Sequence, residues 1–202
     1  MRFTGGKFLP CLVWLACVAP FVAAQGTRAG GGPPQPPRGV AAEQAWREFS
    51  PEGGGFALLL PGTPTEDSDV VETKIGKLTN RMFVLQDGGR LYIASYAEFP
   101  QPVADPAVIK RMLDSGRDQA LARSKARLVS EKEITLGGHF GRAVVAAADA
   151  ALIRARFYWV GQRLYQTVLL TSVGRSPAAA RADESAAAKF FESFKLKDAV
   201  AK

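Results

Sequence analysis

Apolar positions along this chain switch between two periods. Gly55-Phe56-Ala57-Leu58-Leu59-Leu60 is a short continuous apolar run stopped by Pro61-Gly62, which predicts a buried strand. Val70 to Leu78 and Arg81 to Gln86 are weaker strand candidates. Asp87-Gly88-Gly89 is a turn signal, and the aromatic, β-prone Leu91 to Tyr96 follows it, so these runs predict a hairpin. Pro100 and Pro102 close this strand region.

A helical period follows. Asp105 can cap free backbone N–H groups and Pro106 is pre-set for a first turn. Ile109, Met112, Leu113, Gly116 and Ala120 recur at helical spacing as a buried stripe, and Lys110, Arg111, Arg117, Arg123 and Lys125 occupy the other faces, read as a solvated outer surface. Strands are expected again at about Leu128 to Leu136, Gly141 to Ala147 and Leu152 to Val160. The last of these turns at Gly161-Gln162 and returns as Arg163 to Thr171, with glycine placed for a type II′ turn. Ser176-Pro177 repeats the cap-plus-proline start, and Ala180, Ala187, Phe191 and Phe194, with Phe190 beside them, give a second helix its apolar seam. Strands, helix, strands, helix is an α+β pattern with a mostly antiparallel sheet.

Alternation sorts the long hairpin by face. Trp159 should pair with Leu164, Phe157 with Gln166, Ala155 with Val168 and Ile153 with Leu170, all toward a core. The opposite face then collects Arg154, Arg156, Tyr158, Tyr165 and Thr167. Cations and aromatic rings on one patch can hold a carboxylate, a phosphate or an acidic partner; alternatively a helix covers this face, or arginine stems shield it. Arg154, Arg156, Tyr158 and Tyr165 are the candidate ligand or partner residues.

The first residues change the picture of where this happens. Arg2 and Lys7 precede an apolar stretch, Phe8 to Ala19, then Pro20 and the small-residue pattern Val22-Ala23-Ala24, as in a cleavable secretory signal. Pro10 and Pro20 interrupt the stretch, and it is shorter than the roughly 20 residues of a spanning helix. Both cysteines, Cys11 and Cys17, lie inside this signal, so cleavage leaves no thiol, which removes disulfide, thiol-catalytic and zinc-cysteine chemistry. Leu15-Ala16-Cys17 leaves a second processing open, in which Cys17 is acylated and retained as a lipoprotein anchor. Gly26 to Ala42 is a Gly/Pro tether. The expected organisation is a signal peptide at 1–24, a linker at 25–44, one domain at 45–198 and a tail at 199–202.

Net charge is +7, falling to +5 once Arg2 and Lys7 leave with the signal. A basic exported chain favours anionic surfaces and ligands; nucleic acid is not an expected partner, and the membrane is one only through Cys17. Candidate catalytic and metal chemistry is sparse. His139 is the sole histidine, in Gly137-Gly138-His139-Phe140-Gly141, with no motif supplying a nucleophile or carboxylate beside it, so it reads as a turn residue. Glu66, Asp67, Asp69 and Glu72 form an acidic cluster without the glycine and glutamate spacing of an EF-hand loop. Gly53-Gly54-Gly55 lacks the closing Gly-Lys-Ser/Thr of a phosphate loop and reads as a hinge. No catalytic residue, metal site or cofactor is expected.

Trp46…Phe49, Gly55-Phe56 leading into Leu60-Pro61-Gly62-Thr63-Pro64, Gly138…Gly141-Arg142, Arg156…Val160-Gly161…Leu164-Tyr165 and Phe190-Phe191-Glu192-Ser193-Phe194-Lys195 together resemble a group of exported bacterial proteins of uncharacterised role. These are similar to the PsbP-like and DcrB-like superfamily. The resemblance runs over core and turn residues from Trp46 to Leu196, and implies an antiparallel sheet with helices on both sides, an α/β/α sandwich. Members include a photosystem extrinsic subunit, an envelope protein and a nuclear-transport cofactor, and none supplies a catalytic residue to carry over. The expectation is a non-enzymatic, periplasmic or extracellular binding or accessory module whose partner is an envelope protein or an anionic ligand. A small-molecule or lipid-binding module with a cleft between sheet and helix is the alternative.

Overall fold

The computed structural model describes residues 45–73 and 76–197. The expected signal, linker and tail, and with them Cys11 and Cys17, lie outside these residues. In chain order the elements are β1 (Arg47–Phe49), β2 (Phe56–Leu60), β3 (Thr65–Thr73), β4 (Gly76–Asp87), β5 (Arg90–Glu98), α1 (Pro106–Ser124), β6 (Arg127–Leu136), β7 (His139–Ala147), β8 (Ala151–Val160), β9 (Arg163–Ser172), α2 (Pro177–Glu192) and β10 (Lys195–Leu196).

Seven strands form one sheet in the order β3-β4-β5-β9-β8-β7-β6, antiparallel at every pairing. Its hairpins turn where the glycines allow. Gly88 and Gly89 close β4–β5, and Gly137 and Gly138 close β6–β7, each pair with positive φ at both positions as a type I′ loop requires. At β8–β9 only Gly161 has positive φ, at +60°, in keeping with the type II′ turn read from sequence. The one pairing not made by a hairpin, β5 with β9, brings together residues on either side of α1 and β6–β8.

Each face of this sheet carries its own apolar core. On one face Ile109 and Leu113 of α1 pack with Ile93, Phe157, Trp159, Leu164 and Val168. On the other, Phe190 and Phe191 of α2 and Phe56, Leu58 and Leu60 of β2 cover Tyr92, Tyr96, Tyr158, Tyr165 and Leu169. The result is the expected α+β fold with helices on both sides of an antiparallel sheet. The continuous apolar run of β2 has its explanation here: β2 leaves the large sheet and forms a three-stranded layer, β1-β2-β10, so side chains on both of its faces are buried. Both helix starts are capped as expected, Ala107 N donating to Asp105 Oδ1 at 2.8 Å and Ala179 N to Ser176 Oγ at 3.3 Å.

Four sequence expectations are corrected. The run Val70 to Leu78 is two strands, because the chain reverses between Thr73 and Gly76, which pair with each other. The seam of α2 does not begin at Ala180, which is exposed, but at Asp183, whose carboxylate is buried because two arginines meet it. Arg117 is not on a solvated face of α1; it turns to the sheet and joins Asp114, Asp118 and Glu131, while Arg142 of β7 meets Glu131 and Asp114 at 2.9 and 2.8 Å. Gly53-Gly54-Gly55 is no hinge. Arg81 donates to the Glu52 carbonyl at 2.8 Å, Arg163 to that of Gly53 at 2.9 Å and Tyr165 to that of Gly54 at 3.0 Å, so the loop is pinned.

Candidate functional site

The hairpin register is the one read from sequence: Trp159 opposite Leu164, Phe157 opposite Gln166, Ala155 opposite Val168, Ile153 opposite Leu170. Arg154, Arg156, Tyr158, Tyr165 and Thr167 therefore share the face toward α2. They do not share an environment. Tyr165 is 0% exposed; its hydroxyl is spent on Gly54, and burial pushes its pKa above the ordinary tyrosine value despite the Arg163 guanidinium beside it. Tyr158 is buried and stacked on Phe194, with centroids 5.6 Å apart and planes 5° from parallel. As candidate ligand residues the two tyrosines are corrected: they are core, covered by α2 and its following turn.

The two arginines lie at the rim of that cover. Arg154 forms an ion pair through Nη2 with Glu184 of α2, and Arg156 donates from Nη1 to the Phe191 carbonyl at 3.2 Å, its guanidinium 5.2 Å from the centre of the Phe191 ring. Beyond them the sheet runs on through β7 to β6. Arg154 is opposite Val145 and Arg156 opposite Ala143, and these are opposite Ser130 and Lys132. A bulge between Leu128 and Ser130 shifts the alternation in β6, so Arg127, Ser130 and Lys132 face the α2 side while Leu128, Glu131 and Glu133 face the α1 side. The charges of β6 are thereby sorted by face: cations toward α2, acids toward the arginines and Lys110 on the α1 side.

Arg127, Lys132, Arg154 and Arg156 thus share one face of the sheet with the small side chains of Ala143 and Val145, a ledge that α2 borders through Glu184 and the Phe191 carbonyl. Two polar groups at its inner end lack partners among the described residues. Arg154 Nη1 is buried without an acceptor, and so is Oγ1 of Thr167, the residue directly opposite Arg156 and 1% exposed. An unmade hydrogen bond at a buried donor costs about 1–3 kcal/mol, more for a charged group, so an added acceptor here gains more than one at an ordinary surface. Thr167 and the arginines were on the face that strand alternation selects. Lys132 was not found, because placing it on this face needs the β7–β8 register as well as the β6–β7 turn, and Glu184 was not found because no sequence rule aims a helix side chain at a strand.

The other candidates read from sequence lie apart from this face. His139 sits at the start of β7 opposite Leu136, just past the two-glycine loop rather than in it, and its side chain makes no hydrogen bond among the described residues. Strand alternation divides the acidic cluster, placing Glu66 on one face of β3 and Asp67 and Asp69 on the other, and Glu66 is held by Arg81. No group of three His, Cys, Asp or Glu able to hold a metal occurs among the described residues, and no described helix is long and apolar enough to cross a membrane.

No known protein family matches this chain by its sequence model, and no curated protein matches it. Among solved structures it is similar to the solution structure of cyanobacterial PsbP (CyanoP) from Synechocystis sp. PCC 6803, with 14% identity and a TM-score of 0.48, over 82% of this chain and 99% of that one.

Proposed function

We propose that this is an exported, non-enzymatic binding domain that recognises an anionic group of an envelope component at the ledge between α2 and β6. The observation that carries the reading is the pair of buried donors without acceptors among the described residues, Arg154 Nη1 and Thr167 Oγ1, on one face with Arg156 and Lys132. Cationic donors that are already positioned, over a floor of small side chains, favour binding through charge-assisted hydrogen bonds. None of these donors is a carboxylate or an imidazole that could act as a general base. The export reading rests on the Arg2–Ala24 pattern and on the confinement of cysteine to it, and the binding reading is supported by the resemblance to PsbP-like and DcrB-like accessory proteins.

The test is recovery of the protein from its envelope after mild crosslinking, beside an Arg154→Glu/Arg156→Glu variant shown to fold by its unfolding curve. A component that accompanies the native chain and is lost from the variant is expected. Equal recovery with both chains overturns the reading.

A further inference from the structure

We infer that the ledge is built for a phosphate monoester, and that Glu184 is an internal competitor which this ligand displaces. The inference rests on the anion-binding reading of the same site and goes on to its ligand class.

Glu184 occupies Arg154 incompletely. One carboxylate oxygen meets one guanidinium nitrogen, Nη2, and Nη1 of the same group stays buried with no acceptor among the described residues. The Glu184 side chain is 68% exposed whereas that of Arg154 is 15% exposed, so the glutamate is held from one side and swings away at small cost, uncovering the guanidinium edge. A free monocarboxylate brings the same two oxygens as Glu184 but without the tether, which gives Glu184 an effective concentration in the millimolar range or above; it therefore gains nothing by replacing it. A phosphate monoester brings about two charges and three acceptor oxygens.

Those extra acceptors have donors waiting. Arg154 and Arg156 are two residues apart on β8, about 6.6 Å along the strand, a span that two guanidinium groups close over one phosphoryl group. Arg156 is already oriented by the Phe191 carbonyl and ring, which leaves its other N–H groups for a ligand. Lys132 lies in the same cross-strand row, with Ala143 the one residue between it and Arg156. Once Glu184 has moved aside, the ledge presents four cations, Arg127, Lys132, Arg154 and Arg156, since the β6 acids Glu131 and Glu133 face the other side of the sheet.

The experiment is calorimetric titration of the full chain with glycerol phosphate and with acetate at matched ionic strength, repeated with Glu184→Gln and Arg156→Gln. Expected are binding of glycerol phosphate but not acetate, an affinity about five-fold higher in Glu184→Gln, since an exposed ion pair is worth that much, and at least ten-fold lower in Arg156→Gln. Co-sedimentation with phosphatidylcholine vesicles, with and without phosphatidic acid, separates the sources: retention on the acidic vesicles assigns a lipid headgroup, and glycerol phosphate binding without retention assigns a soluble ester. Acetate binding as tightly as glycerol phosphate, an unchanged affinity in Glu184→Gln, or no binding to either phosphate overturns the inference. If the crosslinked component is nevertheless lost from the Arg154→Glu/Arg156→Glu variant, the anion-binding reading survives and the phosphate assignment alone fails.

Discussion

Asp183 of α2 and Arg90 of β5 meet at 2.7 Å, and the carboxylate also accepts from Arg175 at 3.1 Å, so one buried acid ties the helix to the sheet and to the turn that precedes the helix. Arg175 continues to the Gly88 carbonyl, closing a bridge from α2 to the β4–β5 loop. Removing the acid leaves two largely buried guanidinium groups facing each other. Asp183→Ala is expected to lose about 3 kcal/mol of stability, at the lower end of what breaking a buried pair costs because both arginines retain some solvent contact. Urea unfolding monitored by circular dichroism checks this, and a loss below about 1 kcal/mol would show that the arginines find other acceptors.

Gly141 of β7 is needed for space and not for its backbone freedom. A Cβ at this position would lie 2.3 Å from the Phe157 carbonyl oxygen and 2.6 Å from Cδ1 of Tyr158. Neither atom gives way easily, since the first is backbone in the adjoining strand and the second belongs to a ring stacked on Phe194. Gly141→Ala is expected to cost about 2–3 kcal/mol in the same unfolding measurement. A variant as stable as the native chain would mean that β7 and β8 part without penalty.

Tyr92 gives the domain an alkaline limit. It is 1% exposed, its hydroxyl has no hydrogen-bond partner among the described residues, and burial pushes its pKa up to about 12 from 10.0 against the opposing pull of Arg90. Between pH 10 and 12 the unfolded chain loses this proton while the folded one keeps it, so stability falls as pH rises through that window. Tyr92→Phe should flatten the slope between these values and leave stability near neutral pH close to native. An unaltered slope in the variant would assign the alkaline transition to another group.

Thr167 separates packing from binding. Its hydroxyl is buried and has no partner among the described residues, so Thr167→Val removes an unsatisfied polar atom at nearly constant shape. Stability should be unchanged or raised by up to about 1 kcal/mol, and affinity for an anion on the ledge should fall, in the same titrations that test Glu184. A destabilised variant would reveal a partner for the hydroxyl.

Phe194 shows how much of the α2-side core converges on one ring. It stacks on Tyr158 at 5.6 Å and on Phe56 at 5.4 Å, and contacts Tyr165 at 6.0 Å, joining the large sheet to β2 just after α2 ends. Phe194→Ala is expected to cost about 3–5 kcal/mol, read as a drop in the urea midpoint. A cost below 2 kcal/mol would mean that the aromatic cluster closes around the gap.

Much of this was legible because the relevant physics is local. Asp105-Pro106 and Ser176-Pro177 start helices where the sequence places them, since a cap needs only its own next few residues. Gly161-Gln162 fixes the β8–β9 register, and with it the shared face of Arg154, Arg156 and Thr167, because a two-residue loop leaves one pairing open. Legibility failed where a side chain meets something distant. Tyr158 and Tyr165 read as a surface patch until Phe194 and Gly54 cover them. Arg117 reads as solvated until Glu131, on the next strand, is beside it.

Local pattern was enough for both helices, most strands of the large sheet, the β8–β9 register and the α+β class, since periodicity, caps and turn glycines act over a few residues. It also determined which side chains of the long hairpin point the same way. Which of these are core and which stay at the rim was settled by contacts between distant parts of the chain. That division depends on where α2 and the β2 layer cross the sheet, and it is fixed by contacts such as Asp183 to Arg90 and Phe194 to Tyr158 between residues far apart in the chain. Burial converts two tyrosines of the patch into packing and leaves its two arginines at the rim of the cover, paired with Glu184 and the Phe191 carbonyl.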